Sequence, residues 1–105
     1  RNQIKAAKIA DAVLWAVNSG RHVVPSSLWH PGTSCWDTKM CPLGALSFPD
    51  TGLRYPGIGQ NNLLTANETK AFIRAFDDGI ETISFWSHLG ILYRRWSMKV
   101  FKWEE

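Results

Sequence analysis

Along the first segment, Asn2 to Asn18, apolar residues recur at spacings of three and four (Ala6, Ala10, Val13, Leu14, Val17), while Lys5, Lys8 and Asp11 fall largely elsewhere. That spacing matches the 3.6-residue turn and predicts an amphipathic helix. Gly20 follows the last apolar position. A glycine adopts the left-handed cap without a Cβ penalty, so the helix is expected to stop there. A second start is written in Thr65-Ala66-Asn67-Glu68, where a hydroxyl and a carboxylate three residues apart satisfy each other's backbone N–H groups. Phe72, Ile73, Phe76, Ile80 and Ile83 continue a helical stripe, with Asp77-Asp78-Gly79 as a bend or stop. A further stripe runs through Phe85, Leu89, Leu92, Trp96, Val100 and Trp103. It crosses Gly90, where the helix is either broken or packed closely on a neighbour. Two or three helices are expected after residue 65.

Between these helical regions the texture changes, because all five prolines (Pro25, Pro31, Pro42, Pro49, Pro56) fall there. Proline fixes φ and removes a donor, so long regular elements are not expected. His22-Val23-Val24 reads as a short strand, and Ser26 or Ser27 as the cap of a helical turn entering Leu28-Trp29. Cys41-Pro42-Leu43-Gly44-Ala45-Leu46 reads as a short helix with Pro42 in its first turn, where the missing N–H matters least. The fold class is therefore mainly α: a compact single domain, residues 1–105, with an N-terminal helix, a Pro/Gly-rich irregular middle and two or three C-terminal helices.

Composition supports a folded chain, since 45% of the 105 residues are hydrophobic and 20% charged, enough apolar material to offset the entropy of ordering. The unusual feature is six tryptophans. Most are expected in the core, with one or two lining a pocket or partner surface. A net charge of +3 is mild for a dedicated nucleic-acid binder, and no apolar run is long enough to span a bilayer.

Three clusters are candidates for chemistry. Cys41 precedes Pro42 at a predicted helix N-terminus, where the helix dipole favours thiolate. With His30 or His88 as base it would form a cysteine nucleophile; the alternative is a cysteine packed as a small hydrophobe. Cys35 and Cys41 could pair in an oxidising compartment, or join His30 at a metal. The sequence lacks the close Cys-x2-Cys pair of a recognisable zinc site, so no metal and no cofactor is expected. The third cluster is C-terminal: Tyr93, Arg94, Arg95, Trp96, Lys99, Lys102 and Trp103 form a basic, aromatic helix suited to contact with another macromolecule. A docked terminal helix with a solvated basic face is the alternative.

The order of Cys41-Pro42-Leu43-Gly44-Ala45-Leu46 followed by Thr65 through Phe76-Asp77 resembles a set of small uncharacterised bacterial and phage proteins with a Cys-x-x-Gly-Ala helix. The resemblance covers residues 29–82 and rests on one short motif; Pro42 and the Trp-rich C-terminal helix depart from it. It brings no activity. It implies a cytoplasmic location with reduced thiols, and a packing role for Cys41 with Gly44 and Ala45 allowing close helix approach.

The expected function is a non-catalytic binding or regulatory protein, phage- or bacterium-encoded, contacting a macromolecule through aromatic and basic residues. Another protein is the expected partner, with nucleic acid or a membrane surface as alternatives and no small-molecule substrate. The competing readings are a small cysteine-dependent hydrolase or transferase and an accessory subunit of a larger assembly.

Overall fold

The computed structural model describes residues 1–28, 39–51 and 63–103, among which helices dominate. Their order is α1 (Asn2–Asn18), β1 (His22–Val23), a 3-10 turn (Ser26–Leu28), β2 (Lys39–Met40), α2 (Pro42–Thr51), α3 (Ala66–Asp78) and α4 (Phe85–Phe101). The mainly α class and the N- and C-terminal helices expected from the spacing are present. With a radius of gyration of 12.6 Å, the chain is as tightly folded as a domain of its length should be, about 13 Å.

Each boundary has a local cause. Gly20 takes φ +86 after α1, and the Arg21 N–H closes back on the Ala16 carbonyl. Thr65 and Glu68 form the reciprocal capping box at the start of α3: Glu68 N–H donates to the Thr65 hydroxyl at 3.2 Å and Thr65 N–H to the Glu68 carboxylate at 2.9 Å. Gly79 ends α3 in the left-handed conformation. Ile80 and Ile83 therefore lie outside the helix and exposed, correcting the expectation that they continue its stripe. Ser84 caps α4 by accepting from the Ser87 N–H, and Trp103 falls just beyond the last residue of α4.

The helices associate as two pairs, α1 with α2 and α3 with α4. Between the pairs, β1 and β2 run parallel, with His22 opposite Lys39 and Val23 opposite Met40. The β2 segment is too short to carry a period, and the sequence pattern did not show it. One core joins both pairs: Ile9, Ala12, Val13 and Ala16 from α1, Leu43, Ala45 and Leu46 from α2, Phe72 and Phe76 from α3, Trp86 from α4, with Val23 and Met40 from the strands.

The buried face of α4 is unusual, because it carries Ser87, Gly90 and Ser97 beside Trp86 and Ile91. Gly90 lets α3 and α4 nearly touch: a Cβ there would lie 2.5 Å from the Phe72 carbonyl oxygen and 2.8 Å from the Ala75 Cβ. The helix runs unbroken through it. Ser97 is fully buried and satisfied on both sides. Its hydroxyl donates to the Val23 carbonyl at 2.6 Å and accepts from the Trp103 indole N–H at 2.8 Å, fastening the chain end and β1 to α4.

Candidate functional site

Small residues share the buried face of α4 with Trp86 and Ile91, and three of its large apolar side chains are left outside. Phe85, Leu92 and Val100 are 42%, 45% and 45% exposed. The same offset occurs in α1, where Ile9, Ala12, Val13 and Ala16 are buried but Leu14 is 60% exposed. The two outer stripes face each other. Ala10, Val13, Leu14 and Val17 form one wall and Leu89, Leu92, Tyr93 and Trp96 the other wall of an open groove of about 480 Å³.

Two aromatic rings anchor the α4 wall. Tyr93 packs on Phe72 with ring centroids 5.8 Å apart, and Trp96 sits edge-on to it at 6.0 Å and to Phe101 at 5.7 Å. Burial, together with the nearby negative charge of Asp11, pushes the Tyr93 phenol up to about 12, so at neutral pH it is an uncharged donor. Neither the Tyr93 nor the Trp96 side chain makes a hydrogen bond among the described residues.

The seven C-terminal candidates divide into different roles. Arg94 reaches back to donate to the Phe76 and Asp77 carbonyls at 2.6 and 2.9 Å, and its guanidinium lies 5.1 Å from the centre of the Trp103 ring. It closes the C-terminal end of α3, where orphan carbonyls and the negative end of the dipole favour a cation. Trp103 is committed to Ser97. Tyr93 and Trp96 belong to the groove. Arg95, Lys99 and Lys102 are exposed, and the first two follow Leu92 at the three- and four-residue spacing that sets side chains on one helix face. None of these three takes part in an ion pair among the described residues. Leu14, Leu89 and Leu92 were not singled out as site residues from the sequence, although the α1 and α4 stripes contained them.

Of the residues in the cysteine reading, Cys41 and His88 are described. Cys41 is a free thiol 1% exposed, its sulfur accepting from the Gly44 N–H at 3.3 Å. Burial pushes its thiol up to about 12 against that hydrogen bond. Desolvation thus outweighs the helix N-terminus that was expected to favour thiolate. His88 is exposed, its Nδ1 3.2 Å from the Glu81 carboxylate, whereas Cys41 is buried. His30 and Cys35 lie outside the described residues. Among the described residues no three His, Cys, Asp or Glu side chains cluster as metal ligands, and no helix is long and apolar enough to cross a membrane.

Of the tryptophans within the described residues, Trp86 alone is buried, while Trp15 is exposed and Trp96 and Trp103 are half-buried. The expectation that most fill the core does not hold for these four. Comparison of the chain with protein-family models, with curated proteins and with solved structures finds no match.

Proposed function

We propose that this chain is a non-catalytic binding or regulatory protein, of phage or bacterial origin, that holds another macromolecule in the groove between α1 and α4. One observation carries the reading: the exposed side chains of Leu14 and Leu92 lie on opposite walls of an open groove whose other lining residues are also apolar or aromatic. Folded chains bury such side chains where they can, and contiguous exposed apolar surface marks contact sites. Interfaces also favour the residue types found here, aromatic side chains and arginine. The groove wall offers Tyr93 and Trp96, with Arg95 and Lys99 beside it.

The test is affinity capture from a lysate of the source organism with the tagged chain, followed by direct binding of the captured molecule to purified protein. Two variants are run in parallel, Leu14→Glu/Leu92→Glu in the groove and Arg95→Glu/Lys99→Glu beside it. The reading expects a specific macromolecule whose binding is lost in the first variant and weakened in the second, with both variants folded. Binding that survives both overturns it.

The exposed apolar groove also fits a permanent subunit of a larger assembly, whose partner would cover it at all times. Size-exclusion behaviour separates the two: a stable, soluble monomer supports reversible contact, and association of the isolated chain supports the subunit reading.

A further inference from the structure

We infer that the occupant of the groove is an amphipathic helix of another protein, about two turns of its apolar face seated between Leu14 and Leu92 and carboxylates on one flank meeting Arg95 and Lys99. This rests on the groove being the contact surface, as proposed above, and adds the chemistry of what fills it.

The dimensions fit a helix. Each wall runs over eight residues, Ala10 to Val17 and Leu89 to Trp96, and its seven steps at 1.5 Å rise make about 10 Å, or two turns. An incoming helix presents anchors at i, i+3 or i+4, and i+7 over that length. A space of about 480 Å³ is about three times the ~150 Å³ cavity that holds one benzene, so it takes a short row of side chains. Both walls are themselves helices, and the channel between two helices receives the ridge of a third.

The charges select the flank. Arg95 and Lys99 stand on the exposed side of Leu92 without ion-pair partners among the described residues, whereas the opposite wall is neighboured by the exposed carboxylate of Asp11. An acidic flank is therefore attracted on the α4 side and repelled on the α1 side, which also orients the helix. A second copy that met α4 on α4 across a two-fold axis would fit poorly, because the Arg95 and Lys99 patch would face the same basic patch. Apolar walls offer nothing to a phosphate backbone, and a concave groove does not insert into a flat bilayer.

The probes are three labelled peptides with the same leucine face at i, i+3, i+4 and i+7 but Glu, Ser or Lys on the flanks, each binding followed by fluorescence anisotropy with the full chain. The Glu peptide is expected to bind at least tenfold more tightly than the Lys peptide, with the Ser peptide between. Arg95→Glu/Lys99→Glu should reverse that order, and Leu14→Glu/Leu92→Glu should abolish binding of all three. Equal affinities, an order that the charge reversal leaves unchanged, or no binding by any peptide overturns the inference. Phosphatidylserine vesicles and duplex DNA are titrated alongside. Charge-dependent binding to either, with no peptide binding, overturns the helix inference while leaving the groove as a macromolecular contact site; failure of that broader reading is seen separately, when a captured partner binds both groove variants unchanged.

Discussion

Replacing Gly90 by alanine sets two well-measured effects against each other. An alanine in a helix interior is favoured over glycine by about 1 kcal/mol, so propensity alone predicts a more stable protein. The structure predicts the reverse. The new Cβ would lie 2.5 Å from the Phe72 carbonyl oxygen and 2.8 Å from the Ala75 Cβ, and the carbonyl belongs to the backbone of α3, which cannot rotate away. Relief requires α3 and α4 to separate. Overpacking of this kind costs about 1–3 kcal/mol, and contact with backbone places it at the upper end. The expected net loss is about 2 kcal/mol, roughly 10 °C in melting temperature for a domain of this size. Urea unfolding followed by circular dichroism measures it, with an unchanged m-value showing that the unfolded state is the same. Arg95→Ala, on the exposed face of the same helix, serves as control and should stay within about 0.5 kcal/mol. If Gly90→Ala is as stable as the parent or more so, the close approach of α3 and α4 is wrong.

Other consequences are simpler to state. Arg94→Gln removes two charge-assisted hydrogen bonds to the end of α3 and should cost about 1.5–3 kcal/mol in urea unfolding, whereas Arg95→Gln should cost less than about 0.5 kcal/mol; equal effects would refute the division of roles between the adjacent arginines. In a Cys35→Ser background, Cys41 should react with Ellman's reagent at pH 8 only as fast as the protein opens, since raising the thiol from 9.0 to about 12 lowers its thiolate fraction about a thousandfold, and rapid labelling of the folded protein would contradict its burial. The Glu68 carboxyl is held below the usual carboxylate range by the Thr65 N–H first and by Lys5. The unfolded chain therefore takes up that proton at a higher pH than the folded one, and the stabilisation is complete above the ordinary glutamate value of about 4.3 and lost as the pH falls through the lower folded value. Burial raises the Asp77 carboxyl and gives a slope of opposite sign, so the effect is read in an Asp77→Asn background; there Glu68→Gln should flatten the acid limb of the stability curve, and an unchanged limb would refute the assignment.

Much of the fold was legible because its signals are local. The span of α1, the stop at Gly20, the box at Thr65 and Glu68, and the placement of Pro42 at the head of α2 each depend on a few neighbouring residues. The two-residue strand pairing of β1 with β2 depends on a long-range contact and has no period to read. The site was half legible. The apolar stripes of α1 and α4 were visible, but a stripe does not say whether it meets a core or an opening. Part of each buried face is made by small residues, Ala12 and Ala16 in α1 and Ser87, Gly90 and Ser97 in α4. Small polar residues give no hydrophobic signal of their own. Arg94 and Arg95 are indistinguishable in composition, and a one-residue step of about 100° around the helix sends one to the end of α3 and the other to solvent.

The most direct test of the groove is the stability of Leu14→Glu/Leu92→Glu, measured by urea unfolding beside its binding to the captured partner. Side chains on an open groove tolerate charge, so the double variant should lie within about 1 kcal/mol of the parent while its affinity for the partner collapses. A loss of more than about 3 kcal/mol, the mark of charges forced into a core, or a stable variant that binds as tightly as the parent, would contradict the account.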